Sequence, residues 1–365
     1  MKILILVNML TYGGAERVAA LWANGFAQHG HQVSVCTCKK NNIPDTYSLD
    51  CKIKRYNIYN WILSKLSRFG LHPMSYKLKG IIKAVNPNVI ICVQGHWAQW
   101  AYNATNGMNI PIINTMHNAY ERPMYAPMSH QAWREKFIEN NKYTAVTVLT
   151  EADYKCIEGK LRNVYVLPNP LTFSPSNTVP AKEKIILAAG RFNDWHYKGF
   201  DLLIKAWGQI ANKNIDWKLY IAGSGKKKRD FEFLKQMAIE NNVEDRIVFP
   251  GFVEMLPLFQ KASIFVLSSR YEAFGMVLTE AMSQGCACIA CDYKGRQSEI
   301  IKNENEGITI PVDDVKSIAL AINKLTNNDE LRNKLQQGAL IRSHFYDINR
   351  TMNRWETILS MVINK

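Results

Sequence analysis

The sequence predicts an α/β protein made of two doubly wound, Rossmann-like domains facing across a cleft. Three observations carry that prediction. The chain has 365 residues, more than one hydrophobic core comfortably serves. Short apolar runs that read as buried parallel strands alternate with helical stretches in both halves. The alternation also restarts after a stiff, proline-flanked crossing at Pro168-Asn169-Pro170. The boundary is placed there, giving domains at 1–170 and 171–347 and a last helical stretch at 348–365.

Lys2–Val7 reads as the first strand, Gly13-Gly14-Ala15-Glu16 as a turn, and Arg17–Gln28 as a helix stopped by Gly30. His31–Thr37 supplies the second strand and completes a βαβ opening. The loop is not GxGxxG, so the dinucleotide fingerprint is missing. Glycines rather than a cleavage site follow the apolar start, which reads as a strand and not a signal peptide. No apolar run approaches the ~18–20 residues of a membrane span. Cys36/Cys38 and Cys286/Cys288 stand at i, i+2, on one face of a strand, with no CxxC and no adjacent histidine. They read as free buried thiols in a reducing cytosol rather than as a metal site.

The formal charge of +14 is uneven. No acidic residue lies between Asp50 and Glu121, an interval holding Lys52, Lys54, Arg55, Lys65, Arg68, Lys77, Lys79 and Lys83. Tyr56, Tyr59, Trp61, Ile62, Leu63, Leu66, Phe69, Leu71 and Tyr76 are interleaved with them. Read as helical pieces up to Ala84, this stretch of residues 52–83 has the composition of a surface that docks on an anionic bilayer, at roughly 1 kcal/mol per basic residue. Nucleic acid or plain solvent would tolerate the same composition. The membrane is preferred because the apolar residues cluster with the charge and no nucleic-acid motif appears.

Val89–Val93 is the next strand, ending in Gln94-Gly95-His96-Trp97, where α/β sheets place ligands. Ile110–Thr115 ends in Met116-His117-Asn118, so His117 is expected to face the crevice between the domains; a lone histidine there also serves as a cap or core residue. Ala145–Leu149 leads to a helix capped by Thr150, and Val164–Leu167 leads into the crossing.

In the second half Lys184–Ala189 is a strand followed by Gly190-Arg191-Phe192, and Lys198-Gly199 opens a helix from Phe200. A guanidinium fork at Arg191 and an ammonium at Lys198 suit a diphosphate, although both are also ordinary surface residues. Trp217–Ala222 and Gly223-Ser224-Gly225 form the next strand and turn. Tyr220 stands where a P-loop needs its first glycine, so Lys226, Lys227, Lys228 and Arg229 read as a solvated helix start. Arg246–Phe249 runs into Pro250-Gly251-Phe252-Val253.

Ala262–Leu267 is a fully apolar strand, and SSRYEAFGMVLTEAMSQG follows it from Ser268 to Gly285. Glu272 falls in the loop and Glu280 two turns into the helix. Between them Phe274, Gly275 and Met276 offer backbone N–H groups at a helix N-terminus, an anion site by free amides and dipole. A carboxylate at each end of such a cradle suits a diphosphate with hydroxyls on both sides, the shape of a nucleotide sugar; two solvated glutamates on an amphipathic helix are the plainer alternative. Cys286–Cys291 is a further strand, Gly295–Ile300 a loop-to-helix junction, and helices follow at Asp313–Leu325, from Glu330, and at Tyr346–Ile363.

EAFGMVLTE resembles the two-glutamate signature of the retaining glycosyltransferases of family 4, which have the two-domain GT-B fold. The other pieces, in order along nearly the whole chain, resemble that family too. The resemblance implies that Glu272 lies by the donor sugar, Glu280 binds the nucleotide ribose, and Arg191 and Lys198 bind the donor pyrophosphate, here across a slightly longer spacer containing Trp195 and His196. It implies that Gly14 and Glu16 match a loop near the donor phosphate and acceptor, and that His117 touches the donor sugar. It also implies that Asn169 faces the donor, although Pro-Asn-Pro here departs from the family's Pro-Asn-Gly. By the same resemblance Phe252 and Val253 are expected to meet the base, and the last helix to cross back onto the first domain. Glu121-Arg122-Pro123 is assigned to the acceptor side, and His96 has no assigned role.

The activity so implied is metal-independent, retaining transfer of a hexose or N-acetylhexosamine from a nucleoside diphosphate sugar, UDP-linked by family frequency. No DxD pair is present to hold a cation, and no residue is a clear covalent nucleophile. The acceptor implied is a glycan or polyprenyl-diphosphate-linked sugar at the inner face of the cell membrane, with no nucleic acid as partner. Two other classes remain open: another GT-B enzyme of epimerase type, and a non-enzymatic basic protein that binds nucleic acid.

Overall fold

The structure, a computed structural model, describes residues 1–11, 13–40, 43–60, 73–225 and 228–363. The chain divides into two compact units, Met1–Thr172 with Ile348–Lys365, and Phe173–Asp347.

The first unit is built on a seven-stranded parallel sheet. Its strands are β1 (Lys2–Leu6), β2 (Gln32–Thr37), β3 (Lys54–Asn57), β4 (Val89–Val93), β5 (Ile112–Thr115), β6 (Ala145–Val148) and β7 (Val164–Val166), in the order β3-β2-β1-β4-β5-β6-β7. Chain order reverses between β1 and β4, which pair directly, Leu6 opposite Cys92. Helices cover both faces of a doubly wound sheet, so the central strands are apolar throughout; all five residues of β4 are buried. The helix Gly14–Gln28 turns Val18, Ala19, Trp22, Ala23 and Phe26 inward. The helix Ile348–Ile363 lies on it, Trp355 meeting Trp22 edge-on at 5.1 Å between ring centroids.

One expectation for this unit needs correction. Lys54–Asn57 is a strand, not part of a helical run; it pairs with β2 at the sheet edge with Lys54 and Arg55 exposed. The helix Pro73–Val85 forms within the expected helical run, with Met74, Leu78 and Ile82, like Ile58 before it, buried in the core. Of the basic and apolar stretch, Trp61, Ile62, Leu63, Lys65, Leu66, Arg68, Phe69 and Leu71 lie outside the described residues, as do Lys226 and Lys227.

The second unit repeats the plan with a six-stranded parallel sheet. Its strands are β8 (Glu183–Ala189), β9 (Lys218–Ala222), β10 (Ile247–Val248), β11 (Ala262–Leu267), β12 (Ala287–Cys291) and β13 (Ile308–Ile310), in the order β10-β9-β8-β11-β12-β13. The reversal falls between β8 and β11. In each sheet, therefore, the loops after the two central strands open at a topological switch point, where such folds bind ligands.

Candidate active site

At the switch point of the second sheet, β8 delivers Gly190–Lys198 and β11 delivers Ser268–Met276. The helix Phe200–Ile210 starts at Gly199, whose φ of 63° is left-handed, and a Cβ there would collide with the Ser268 carbonyl oxygen. That close approach lets the two loops meet. Ser268 Oγ donates to the Lys198 carbonyl at 2.9 Å, and Lys198 Nζ lies 2.7 Å from Glu272 Oε2, which also accepts from Ser269 Oγ at 3.3 Å. Both members of the ion pair are mostly enclosed, at 20% and 16% side-chain exposure, so solvent screens them less than a surface pair.

Gly275 caps the helix Met276–Ser283 with a φ of 89°. The first amides of that helix have no partner inside it. Phe274 turns its ring into the core against Tyr346 and leaves its backbone at the helix start. Glu280 lies inside the helix and is buried. Arg191, on the same loop as Lys198, is largely exposed, and its Nη2 pairs with Asp194 Oδ2 at 2.7 Å. Phe252 and Val253 are exposed in the loop after β10, Phe252 at 70%.

In the first unit Gly14 opens its helix, beside the C-terminal end of β1. A polar cluster gathers there around Asn8, which the sequence reading did not single out, and joins Glu16 to the Gln94–Trp97 segment. Asn8 donates to Gln94, Gln94 Nε2 donates to Glu16 Oε1 at 3.2 Å, and Asn8 Oδ1 takes Trp97 Nε1 at 2.9 Å and meets His96 Nε2 at 2.7 Å. Gln94 sits at φ 93°, a strained position for a side-chain-bearing residue of the kind that collects at binding sites. His117 follows β5, its ring 5.6 Å from that of Trp22, and burial pushes its pKa down to about 4. Asn169 is buried. Glu121 is partly buried and Arg122 exposed.

Sequence reading also missed Arg270. Its guanidinium is buried between Asp201 and Asp313, two residues before Glu272. The local signal was a charged residue three positions after the end of a buried strand.

Residues 12–174 match the family model described as Glycosyltransferase Family 4, and residues 172–341 match Glycosyl transferases group 1. An uncharacterized glycosyltransferase of Haemophilus influenzae is 27% identical over 361 residues, 97% of this chain and 98% of that protein. The Campylobacter jejuni GalNAc-alpha-(1->4)-GalNAc-alpha-(1->3)-diNAcBac-PP-undecaprenol alpha-1,4-N-acetyl-D-galactosaminyltransferase is 26% identical over 384 residues, 100% of this chain and 99% of that enzyme. Among solved structures, S. aureus TarM in complex with Fondaparinux, alpha-GlcNAc-glycerol and UDP superposes with a TM-score of 0.80 at 16% identity, covering 98% of this chain and 99% of that one. The protein is a glycosyltransferase, which sets aside the epimerase and nucleic-acid readings. It belongs to the family 4-like glycosyltransferases and has their GT-B fold, two parallel-sheet Rossmann-like domains.

Proposed function

We propose that the protein transfers a hexose or N-acetylhexosamine from a UDP-sugar to a polyprenyl-diphosphate-linked or other membrane-associated glycan, with retention at the anomeric carbon. The observation that carries this reading is the Lys198–Glu272 pair, 2.7 Å apart, beside the amide end of the helix that holds Glu280. Lys198, Arg191 and the N–H groups of Phe274, Gly275 and Met276 neutralise the leaving diphosphate, electrostatic catalysis by groups fixed in advance. Glu280 takes the ribose, Phe252 and Val253 flank the base, and Glu272 contacts the donor sugar.

In the reaction, the bond from the anomeric carbon to the diphosphate oxygen breaks and the acceptor oxygen bonds to that carbon on the same face. The acceptor proton passes to the leaving phosphate, an assignment made by analogy with the family. Fixed cations take the place of a metal ion in this scheme. The Campylobacter relative is named for an undecaprenol-linked acceptor and an N-acetylgalactosaminyl donor group, and TarM was solved with UDP, which supports the acceptor and donor proposed here. Among the described residues no helix is long and apolar enough to cross a membrane. We assign membrane contact to the basic residues of 52–83, holding the enzyme peripherally at the inner face.

The test is transfer from UDP-sugars to a polyprenyl-diphosphate glycan, followed by UDP release and by the anomeric configuration of the product. Lys198→Ala and Glu272→Ala should each lower kcat by about 10²–10³-fold, the scale for loss of one preorganised electrostatic group. EDTA should leave the rate unchanged. Near-normal turnover in both variants would overturn the site assignment.

A further inference from the structure

We propose that Arg270 is a positioning residue for the transfer reaction, holding the Lys198 and Glu272 loops at their working separation. The inference rests on the reading of Lys198 and Glu272 as donor-site groups.

Arginine is seldom buried unless fully paired, and Arg270 is buried. Its Nη1 and Nη2 donate to the two oxygens of Asp201 at 2.6 and 2.7 Å, a forked pairing. Nη1 also donates to the His196 carbonyl at 2.7 Å, Nε donates to Asp313, and the backbone N–H donates to the Tyr197 carbonyl at 2.9 Å.

The placement of these partners carries the argument. His196 and Tyr197 immediately precede Lys198, and Asp201 lies three residues after it, in the first turn of the next helix. Arg270 itself is two residues before Glu272. One side chain thus grips the Lys198 segment on both sides from within the Glu272 segment, while the Ser268–Lys198 hydrogen bond closes the near edge. Asp313 is drawn in from beyond β13 at a left-handed φ of 60°, a strained backbone held by its contact with the guanidinium.

Lysine would keep the charge but not the fork, since an ammonium cannot serve Asp201, Asp313 and His196 from fixed directions. A small shift of a positioned catalytic group costs about 10²-fold in rate. A loss confined to the transition state appears in kcat rather than KM.

The experiment compares Arg270→Lys and Asp313→Asn with the unaltered full-length chain. Turnover of the UDP-sugar is expressed per UDP-binding site, counted by calorimetry, so that partial unfolding does not count as slow chemistry. Arg270→Lys should lower kcat by about 10²-fold with KM changed less than about threefold. Asp313→Asn, which leaves the Asp201 fork in place, should lower kcat by about three- to tenfold, again with KM held. A folded Arg270→Lys enzyme with kcat within twofold of normal overturns the proposal. Should that variant not fold, an Asp313→Asn enzyme with unaltered kcat overturns it instead. Retained activity in Lys198→Ala and Glu272→Ala would bring down the donor-site reading itself; their loss beside a silent Arg270→Lys brings down this inference alone.

Discussion

His117 Nε2 lies 3.1 Å from Thr115 Oγ1, and the Thr115 hydroxyl gives its own proton to the Cys92 carbonyl at 3.0 Å. The hydroxyl can therefore only accept from the imidazole, which fixes the proton on Nε2 and leaves Nδ1 as a buried bare acceptor. Burial pushes the His117 pKa from 6.5 to about 4, so the ring is neutral at physiological pH. Between those values the unfolded chain binds a proton that the folded chain refuses. The stability from neutral His117 is complete above pH 6.5 and is lost as pH falls toward 4, by at most about 1.4 kcal/mol per pH unit. Urea midpoints at pH 7.5 and pH 5 should fall further apart in the unaltered chain than in His117→Gln. An equal drop in both would show that His117 is not the group responsible.

The last helix packs on the first through a buried aromatic contact. Trp355 is wholly buried and meets Trp22 at 5.1 Å and Phe26 at 5.7 Å, and the Met352 side chain lies close over Gly25. Trp355→Ala should cost about 3–5 kcal/mol, the range for deleting a large buried aromatic. Leu320→Ala, at an exposed residue of the second unit, should cost less than about 0.5 kcal/mol. Chemical denaturation resolves the difference, and a Trp355→Ala loss below 1 kcal/mol would mean that the helix is anchored elsewhere.

Gly199 and Gly251 have similar left-handed φ values, 63° and 79°, but different surroundings. At Gly251 an added Cβ meets nothing within 4 Å, so Gly251→Ala should cost only the backbone penalty of about 1–2 kcal/mol. At Gly199 the same Cβ runs into the Ser268 carbonyl, so Gly199→Ala should cost more and should separate Lys198 from Glu272. Equal stability losses with unaltered activity in Gly199→Ala would disprove the close approach of the two loops.

Strands were legible where parallel sheets bury both faces. Val89–Val93 and Ala262–Leu267 are continuous apolar runs, and the structure keeps their predicted bounds. Lys54–Asn57 was not legible, because an edge strand that reads Lys-Arg-Tyr-Asn carries its charge outward and looks like surface helix. The three-residue edge strand Ile308–Ile310 escaped notice for want of length. Glu272, Glu280 and Lys198 were candidates from their glycine-bearing loops together with the family resemblance, and the structure pairs Lys198 with Glu272. Arg270 was not, since Asp201 and Asp313 lie 69 and 43 positions away and no periodicity links residues at such distances.

The basic stretch before Ala84 can now be divided by what its residues face. Ile58, Met74, Leu78 and Ile82 belong to the core and offer nothing to a bilayer, whereas Lys52, Lys54, Arg55 and Lys83 are exposed and Tyr76 is 83% exposed. Arg55 is paired with Asp45, which leaves the three lysines as the better surface charges. Attraction through them is electrostatic, worth roughly 1 kcal/mol per lysine near an anionic surface and confined to about a Debye length. Changing Lys52, Lys54 and Lys83 together to Ala should therefore weaken partition onto phosphatidylglycerol-containing vesicles by about 10²-fold at 0.1 M salt. Tyr76→Ser should weaken it far less, and raising salt to 0.5 M should mimic the triple variant. Sedimentation with neutral and anionic vesicles measures all of this, and equal recovery of the unaltered protein with both kinds would remove the membrane from the account while leaving the sugar-transfer site untouched.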